Sequence, residues 1–143
     1  MPHNIAWILL AALVQIALTI VVYIVLVRAR IAGVKSGEVK ASQYELVEGE
    51  PRKLALVTNH LRNQFELPVL FFALVAFLIA INRVTMIDVI LAWAFVVLRV
   101  LHSAAALKAD NVAMRMRFFG LGLLCVAALA VHLLIIVLGE MAL

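Results

Sequence analysis

Hydrophobic positions run without interruption through two long segments of the chain and two shorter ones. Ile5 to Val27 carries no charged side chain over 23 positions, and Phe118 to Leu138 carries none over 21. Each exceeds the roughly 20 residues that a helix needs to cross about 30 Å of hydrocarbon. Leu67 to Ile81 and Val89 to Leu98 are long enough if their charged flanks enter the membrane. The pattern therefore predicts four membrane-spanning helices.

The fold class predicted from this pattern is an all-α integral membrane protein, with one four-helix bundle domain over residues 1–143. We expect helices at about 5–28, 54–81, 85–107 and 115–138, with a solvated loop at 29–53. Composition agrees, because a chain with 67% hydrophobic residues and a mean hydropathy of +1.17 has too little polar surface to cover a soluble globule.

The distribution of basic residues predicts the orientation. Lysine and arginine cluster before and within the 29–53 loop and after the third helix, whereas the opposite side has only Arg83. By the positive-inside rule the clusters face the cytoplasm, so both termini are expected on the non-cytoplasmic side. The net charge of +4 is explained by these membrane-flanking residues, and we expect no nucleic-acid partner.

Motifs for several common chemistries are missing from the sequence. There is no CxxC pair, His-rich metal spacing, Gly-rich phosphate loop or Ser/His/Asp constellation. The single cysteine, Cys125, excludes an intrachain disulfide. We therefore expect no metal cofactor.

A polar stretch, Asn59 to Pro68, leads directly into the second apolar run. Arg62, Asn63 and Glu66 fall within the first turns of the second span, and the i to i+4 spacing predicts Arg62 and Glu66 on one helix face. Charged side chains at the mouth of a span are costly, so they need a partner or a ligand. Pro68 is expected to kink the helix, either opening room beside Glu66 or as a neutral feature.

Polar side chains inside the other spans point to contacts between helices. Gln15, alone in an apolar first span, is expected to hydrogen-bond to a neighbouring helix. Arg99 lies eight residues, about 12 Å, before the end of the third span, at a depth matching that of Glu66. Matching depths predict a Glu66–Arg99 ion pair, because an unpaired charge in hydrocarbon costs several kcal/mol. Whether such a pair is structural or functional stays open.

Polar residues from every span converge on the predicted cytoplasmic side. Arginine side chains bind carboxylates, and a carboxylate binds an ammonium group, so the set suits a small anionic zwitterion. The alternative for Arg115 is an interfacial charge that extends to the lipid headgroups. The members are Arg28 or Arg30, Arg62, Asn63, Glu66, Arg99, His102 and Arg115.

The chain resembles the MAPEG superfamily, the membrane-associated proteins in eicosanoid and glutathione metabolism, and within it the bacterial-type members. The resemblance covers nearly the whole chain. It rests on the length, the long first loop, Arg62-Asn63-x-x-Glu66 before an apolar run with an early proline, and Arg99-x-x-His102 followed thirteen residues later by Arg115. It implies a homotrimer of four-helix subunits, and for a bacterial-type member the inner membrane.

The resemblance also implies a glutathione site at each subunit interface, with glutathione as co-substrate. By position, Arg28, Arg62, Asn63, Glu66 and His102 match the glutathione-binding residues of the family. Arg99 matches the arginine that pairs with the glutamate of the second span. Arg115 matches the catalytic arginine, a sensible role because a nearby cation stabilises the nucleophilic thiolate.

Three positions depart from the pattern of glutathione-using members. Asn59 stands where many have arginine, and Ala106 and Phe119 stand where they have tyrosine. Two hypotheses follow. The first is a glutathione-dependent transferase or peroxidase acting on lipophilic electrophiles from the membrane. The second is a non-catalytic bundle that binds lipid or serves as an accessory subunit of a larger membrane complex.

Overall fold

The fold is all-helical in a computed structural model that describes residues 1–40, 44, 51–108 and 112–142. Four helical segments are long and apolar enough to cross a membrane, namely His3–Lys35, Leu54–Ala80, Met86–Leu107 and Val112–Met141. The predicted set of four spans is thereby confirmed by length and composition. The helices are α1 (His3–Lys35), α2 (Arg52–Asn63), α3 (Leu67–Ala80), α4 (Met86–Lys108) and α5 (Val112–Met141).

Two helices extend beyond their predicted bounds. Helix α1 continues to Lys35 instead of ending at 28, and α5 covers 112–141 instead of 115–138. Charged residues end an apolar run but not a helix, because outside the hydrocarbon their side chains are solvated. What ends α1 is Gly37, whose φ of 73° suits glycine and whose N–H bonds to the Val34 carbonyl. Of the predicted loop, positions 41–43 and 45–50 lie outside the described residues.

The second span, expected as one helix over 54–81, is two helices joined by a tight turn. Helix α2 closes with i to i+3 bonds from Gln64 N–H to Leu61 O and from Phe65 N–H to Arg62 O, 2.9 and 2.8 Å long. Helix α3 then starts at Leu67, with Pro68 in its first turn, where a missing N–H is harmless. Pro68 therefore lies at the start of a new helix instead of kinking a continuous one. The helical structure is interrupted at Gln64–Glu66.

Helix α4 is the centre of the bundle and packs against α1, α2 and α5. The main apolar core is built from buried side chains of α1, α3, α4 and α5, and within it the rings of Phe71 and Phe95 stack with centroids 4.5 Å apart. A second cluster joins Val22 and Leu26 of α1 to α2. Many large apolar side chains on the outer faces of the helices remain exposed, as expected of surfaces that contact lipid.

One end of the bundle carries the turn between α3 and α4. Asn82 adopts a left-handed φ of 55°, and the bonds from Asn82 N–H to Ile79 O and from Arg83 N–H to Leu78 O close a Schellman motif on α3. We call the other end, which carries Arg28, Arg62 and Arg115, the basic end. The candidate site lies there.

Candidate functional site

A cleft of about 460 Å³ opens at the basic end. It is formed by the end of α2, the turn after it, and the facing parts of α4 and α5. Four of the residues predicted to act together line it, so the structure brings this part of the set to one place. The lining residues are Asn63, Glu66, His102, Val112, Arg115, Met116, Phe119 and Gly120.

His102 fixes the main chain of α5 beside Arg115. The Nδ1 atom of His102 lies 3.1 Å from the carbonyl oxygen of Arg115. A carbonyl oxygen only accepts, so Nδ1 carries the proton and donates. Within the described residues the Nε atom of Arg115 is buried and has no hydrogen-bond partner. Arg115 itself lines the cleft, where its positive charge is available to a ligand.

Arg99 is fully buried behind the cleft, and its Nη2 donates to the carbonyl oxygen of Asn63 over 2.9 Å. This bond satisfies a carbonyl at the end of α2, where the helix offers no partner. Glu66 is exposed, and the described residues show no direct ion pair between Glu66 and Arg99. Equal depths for Glu66 and Arg99 require an unbroken second span, whereas the turn at Gln64–Glu66 interrupts that helix. A direct Glu66–Arg99 pair in the assembled protein stays a prediction.

Two predicted binding residues lie elsewhere in the single chain. Arg28 is exposed and lines a separate groove of about 440 Å³ on the surface of α1, next to Tyr23 and Val27. Arg62 is exposed on the last turn of α2. The i to i+4 spacing predicted Arg62 and Glu66 on one helix face, but α2 ends at Asn63, before Glu66. Neither arginine lines the cleft.

A buried polar network lies behind the cleft, and only one of its residues was singled out in the sequence. Gln15 was expected to bond to a neighbouring helix, and its Nε2 does donate to Gln64 Oε1, 3.1 Å away. His60, Gln64 and Ser103 complete the network, and all are almost fully buried. The signal for them was available, because uncharged polar residues flanked by apolar runs rarely face lipid. In the same stretch, the sequence motif pointed to the charged residues Arg62 and Glu66.

The cleft combines opposite charges with an apolar wall. Arg115 supplies a cation, Glu66 an anion and Asn63 a neutral amide, while the His102 ring and Phe119 also line the cleft. A pocket of a few hundred Å³ with a few convergent polar groups is the usual form of a small-molecule site. Such a site fits an amphipathic or zwitterionic ligand beside an apolar one.

Comparison with known proteins identifies the family. Neither a curated protein nor a solved structure matches the chain significantly. The model of the MAPEG family, however, matches residues 5–135, nearly the whole chain. Together with the four apolar helices, this match makes the protein an integral, multi-pass membrane protein. The chain belongs to the MAPEG family, the membrane proteins of glutathione and eicosanoid metabolism.

Proposed function

We propose that this protein is a glutathione-dependent membrane transferase or peroxidase that acts on lipophilic electrophiles. The observation that carries the proposal is the cleft at the basic end, which joins Asn63, Glu66, His102 and Arg115. A tripeptide with two carboxylates, one ammonium group and a thiol needs a cation, an anion and neutral hydrogen-bonding groups. The cleft offers all three.

In this proposal Arg115 stabilises the thiolate of glutathione. A thiolate is the nucleophile, and a neighbouring guanidinium favours it over the thiol. In the transfer reaction the thiolate sulfur bonds to an electrophilic carbon, and the leaving group departs with the bonding pair. In the peroxidase reaction the sulfur attacks a hydroperoxide oxygen, which releases the alcohol and a glutathione sulfenic acid. A second glutathione then yields the disulfide and water.

The apolar side of the cleft supports a lipophilic second substrate. Val112, Met116 and Phe119 lie on the first turns of α5, on the same cleft as Arg115. An apolar molecule that leaves the bilayer there would reach the thiolate without crossing water. We therefore place the second substrate among membrane-soluble electrophiles.

The assembly belongs to the same proposal. We propose a homotrimer with the basic end in the cytoplasm of a bacterium and the protein in the inner membrane. Arg28 and Arg62 lie outside the cleft of their own chain, which leaves them available to the cleft of a neighbouring copy. Native mass spectrometry in mild detergent should give a trimer. A protein that is monomeric at every detergent concentration tested would contradict this part.

Calorimetry with purified protein tests the function directly. Glutathione should bind at millimolar concentration or below, and release of a proton on thiolate formation should make the heat depend on the ionisation enthalpy of the buffer. S-Methylglutathione, which has no thiol proton, is the matched control and should bind without that dependence. Absence of glutathione binding at millimolar ligand would refute the enzyme.

A non-catalytic accessory subunit is the second candidate. The observation in its favour is Phe119, which lines the cleft with a bare ring where glutathione-using relatives have a tyrosine hydroxyl. Ala106, at the other tyrosine position, has no polar group either. Co-purification with one larger membrane assembly, together with absence of conjugating activity, would favour this candidate.

A further inference from the structure

Four polar side chains from different parts of the chain are joined inside the apolar bundle. Gln15 of α1 donates through Nε2 to Gln64 Oε1 over 3.1 Å. The Nε2 atom of Gln64, in the turn after α2, lies 3.2 Å from Ser103 Oγ of α4 and 3.2 Å from His60 Nε2 of α2. These residues are between 0% and 4% exposed. The polar groups are therefore shielded from water and depend on each other.

The bond from Gln64 determines which nitrogen of His60 carries the proton. A side-chain amide nitrogen has two N–H donors and cannot accept. Gln64 uses one donor for Ser103 and the other for His60, so Nε2 of His60 is the acceptor and the proton of the neutral ring is on Nδ1. Within the described residues, His60 Nδ1 is buried and has no hydrogen-bond partner. His60 thus has an unused donor.

His102 has the complementary arrangement. Its Nδ1–H donates to the Arg115 carbonyl, so its Nε2 is an acceptor. In the described part of the chain this Nε2 is also buried and without a partner. The two imidazole rings are neighbours, with centroids 5.4 Å apart. One ring therefore has an unused donor and the next ring an unused acceptor.

We propose that His60 is a positioning residue for Arg115, linked to His102 by one bound water molecule. The water accepts from His60 Nδ1–H and donates to His102 Nε2, which satisfies both nitrogens. Every bond of the resulting chain then points the same way, from Gln15 through Gln64, His60, the water and His102 to the carbonyl of Arg115. Bonds arranged head to tail strengthen one another in a low-dielectric interior.

The consequence for the site is a fixed start of α5. His102 donates to the main-chain carbonyl of Arg115 and so fixes the position of Arg115 at the cleft. The series of hydrogen bonds connects His102 in turn to α1 and α2. Small displacements of a catalytic group lower the rate strongly, so the loss of a remote link should reduce turnover. This kinetic consequence rests on the proposed glutathione function, whereas the protonation pattern does not.

Nitrogen NMR tests the protonation pattern without any ligand. The protein is labelled with ¹⁵N-histidine and studied in detergent, and the signals are assigned with His60→Phe and His102→Phe variants. At neutral pH both rings should be uncharged with the proton on Nδ1, and a water cross-peak should appear at the His60 Nδ1 proton. A proton on Nε2 of either ring, or no water contact, would overturn the proposal.

Kinetics test the positioning role. His60→Phe and Gln15→Leu should each lower kcat on the order of tenfold and leave KM for glutathione within about twofold, because a displaced Arg115 affects the thiolate step more than binding. Thr19→Val is the matched control, since Thr19 is polar, lies on α1 and, within the described residues, donates its hydroxyl to the Gln15 carbonyl. It should change neither constant. If His60→Phe fails to assemble, the kcat and KM of Gln15→Leu test the same positioning role.

The outcomes separate this proposal from the function itself. Normal turnover in both variants would refute the positioning role and leave the glutathione enzyme intact. Absence of glutathione binding in the unaltered protein would refute the enzyme, and the NMR result would still decide the hydrogen-bond chain.

Discussion

The carboxylate of Asp88 and the imidazole of His132 join α4 to α5 at the end of the bundle opposite the cleft, with Oδ1 and Nδ1 2.7 Å apart. Asp88 is fully buried, and its Oδ2 accepts two further bonds of 2.8 Å from Thr85, one from the main-chain N–H and one from the hydroxyl. Thr85 and Asp88 thus cap the start of α4 in the manner of a capping box. The buried carboxylate accepts from three donors.

Replacing Asp88 should therefore destabilise the protein while sparing the cleft. Asp88→Ala leaves those donors unpaired, and each buried unpaired donor costs about 1 to 3 kcal/mol. We expect the free energy of unfolding in detergent to fall by at least about 2 kcal/mol. Glu140→Gln is the matched control, because Glu140 pairs with Arg83 at an exposed position and should cost under about 1 kcal/mol. Equal losses for the two variants would contradict the assigned role of Asp88.

Arg115→Ala should leave the fold intact and lower activity. Arg115 is partly exposed at the cleft, so truncation removes little packing, but it removes the cation that we propose stabilises the thiolate. Conjugation should fall by about tenfold or more in kcat/KM, with the melting temperature within a few degrees of the parent. Arg117→Ala, two residues along the same helix and outside the cleft lining, should retain activity. Unfolding of Arg115→Ala alone would assign the residue a structural role.

Glu66→Gln distinguishes a ligand-binding carboxylate from a buried ion pair. Because Glu66 is exposed here, we expect the free energy of unfolding to change by less than about 1 kcal/mol. Glutathione binding should weaken, since the ammonium loses its counter-charge. The measurement pairs chemical denaturation in detergent with calorimetric titration. A stability loss of about 3 to 5 kcal/mol would instead show that Glu66 and Arg99 pair directly in the assembled protein.

Phe119→Tyr adds the hydroxyl that the resemblance to glutathione-using family members leads us to expect near the start of the last span. Phe119 lines the cleft, so the new hydroxyl can bond to the ligand. One hydrogen bond contributes about 0.5 to 1.5 kcal/mol, so glutathione should bind roughly twofold to tenfold more tightly. Calorimetry on the variant and parent provides the comparison. Unchanged or weaker binding would indicate that Phe119 does not face the bound peptide.

The sequence by itself determined the spans and four of the residues that line the cleft. The length of an apolar run is set by bilayer thickness, which is a one-dimensional property that the sequence records. Polar residues in such runs must face protein, which is why Gln15 was expected to find a partner and why Asn63, Glu66, His102 and Arg115 were expected together.

Only the tertiary structure decided how those residues are connected. The helix of the second span is interrupted by the tight turn at Gln64–Glu66. The hydropathy pattern does not distinguish an interrupted helix from a kinked one. After the break Glu66 is exposed in the cleft lining, and Arg99 bonds with the Asn63 carbonyl. Hydrogen-bond partners across helices depend on the rotation and register of each helix. The link from Gln15 through Gln64 to His60, 49 and 4 residues apart in sequence, therefore emerged only once the helices were packed.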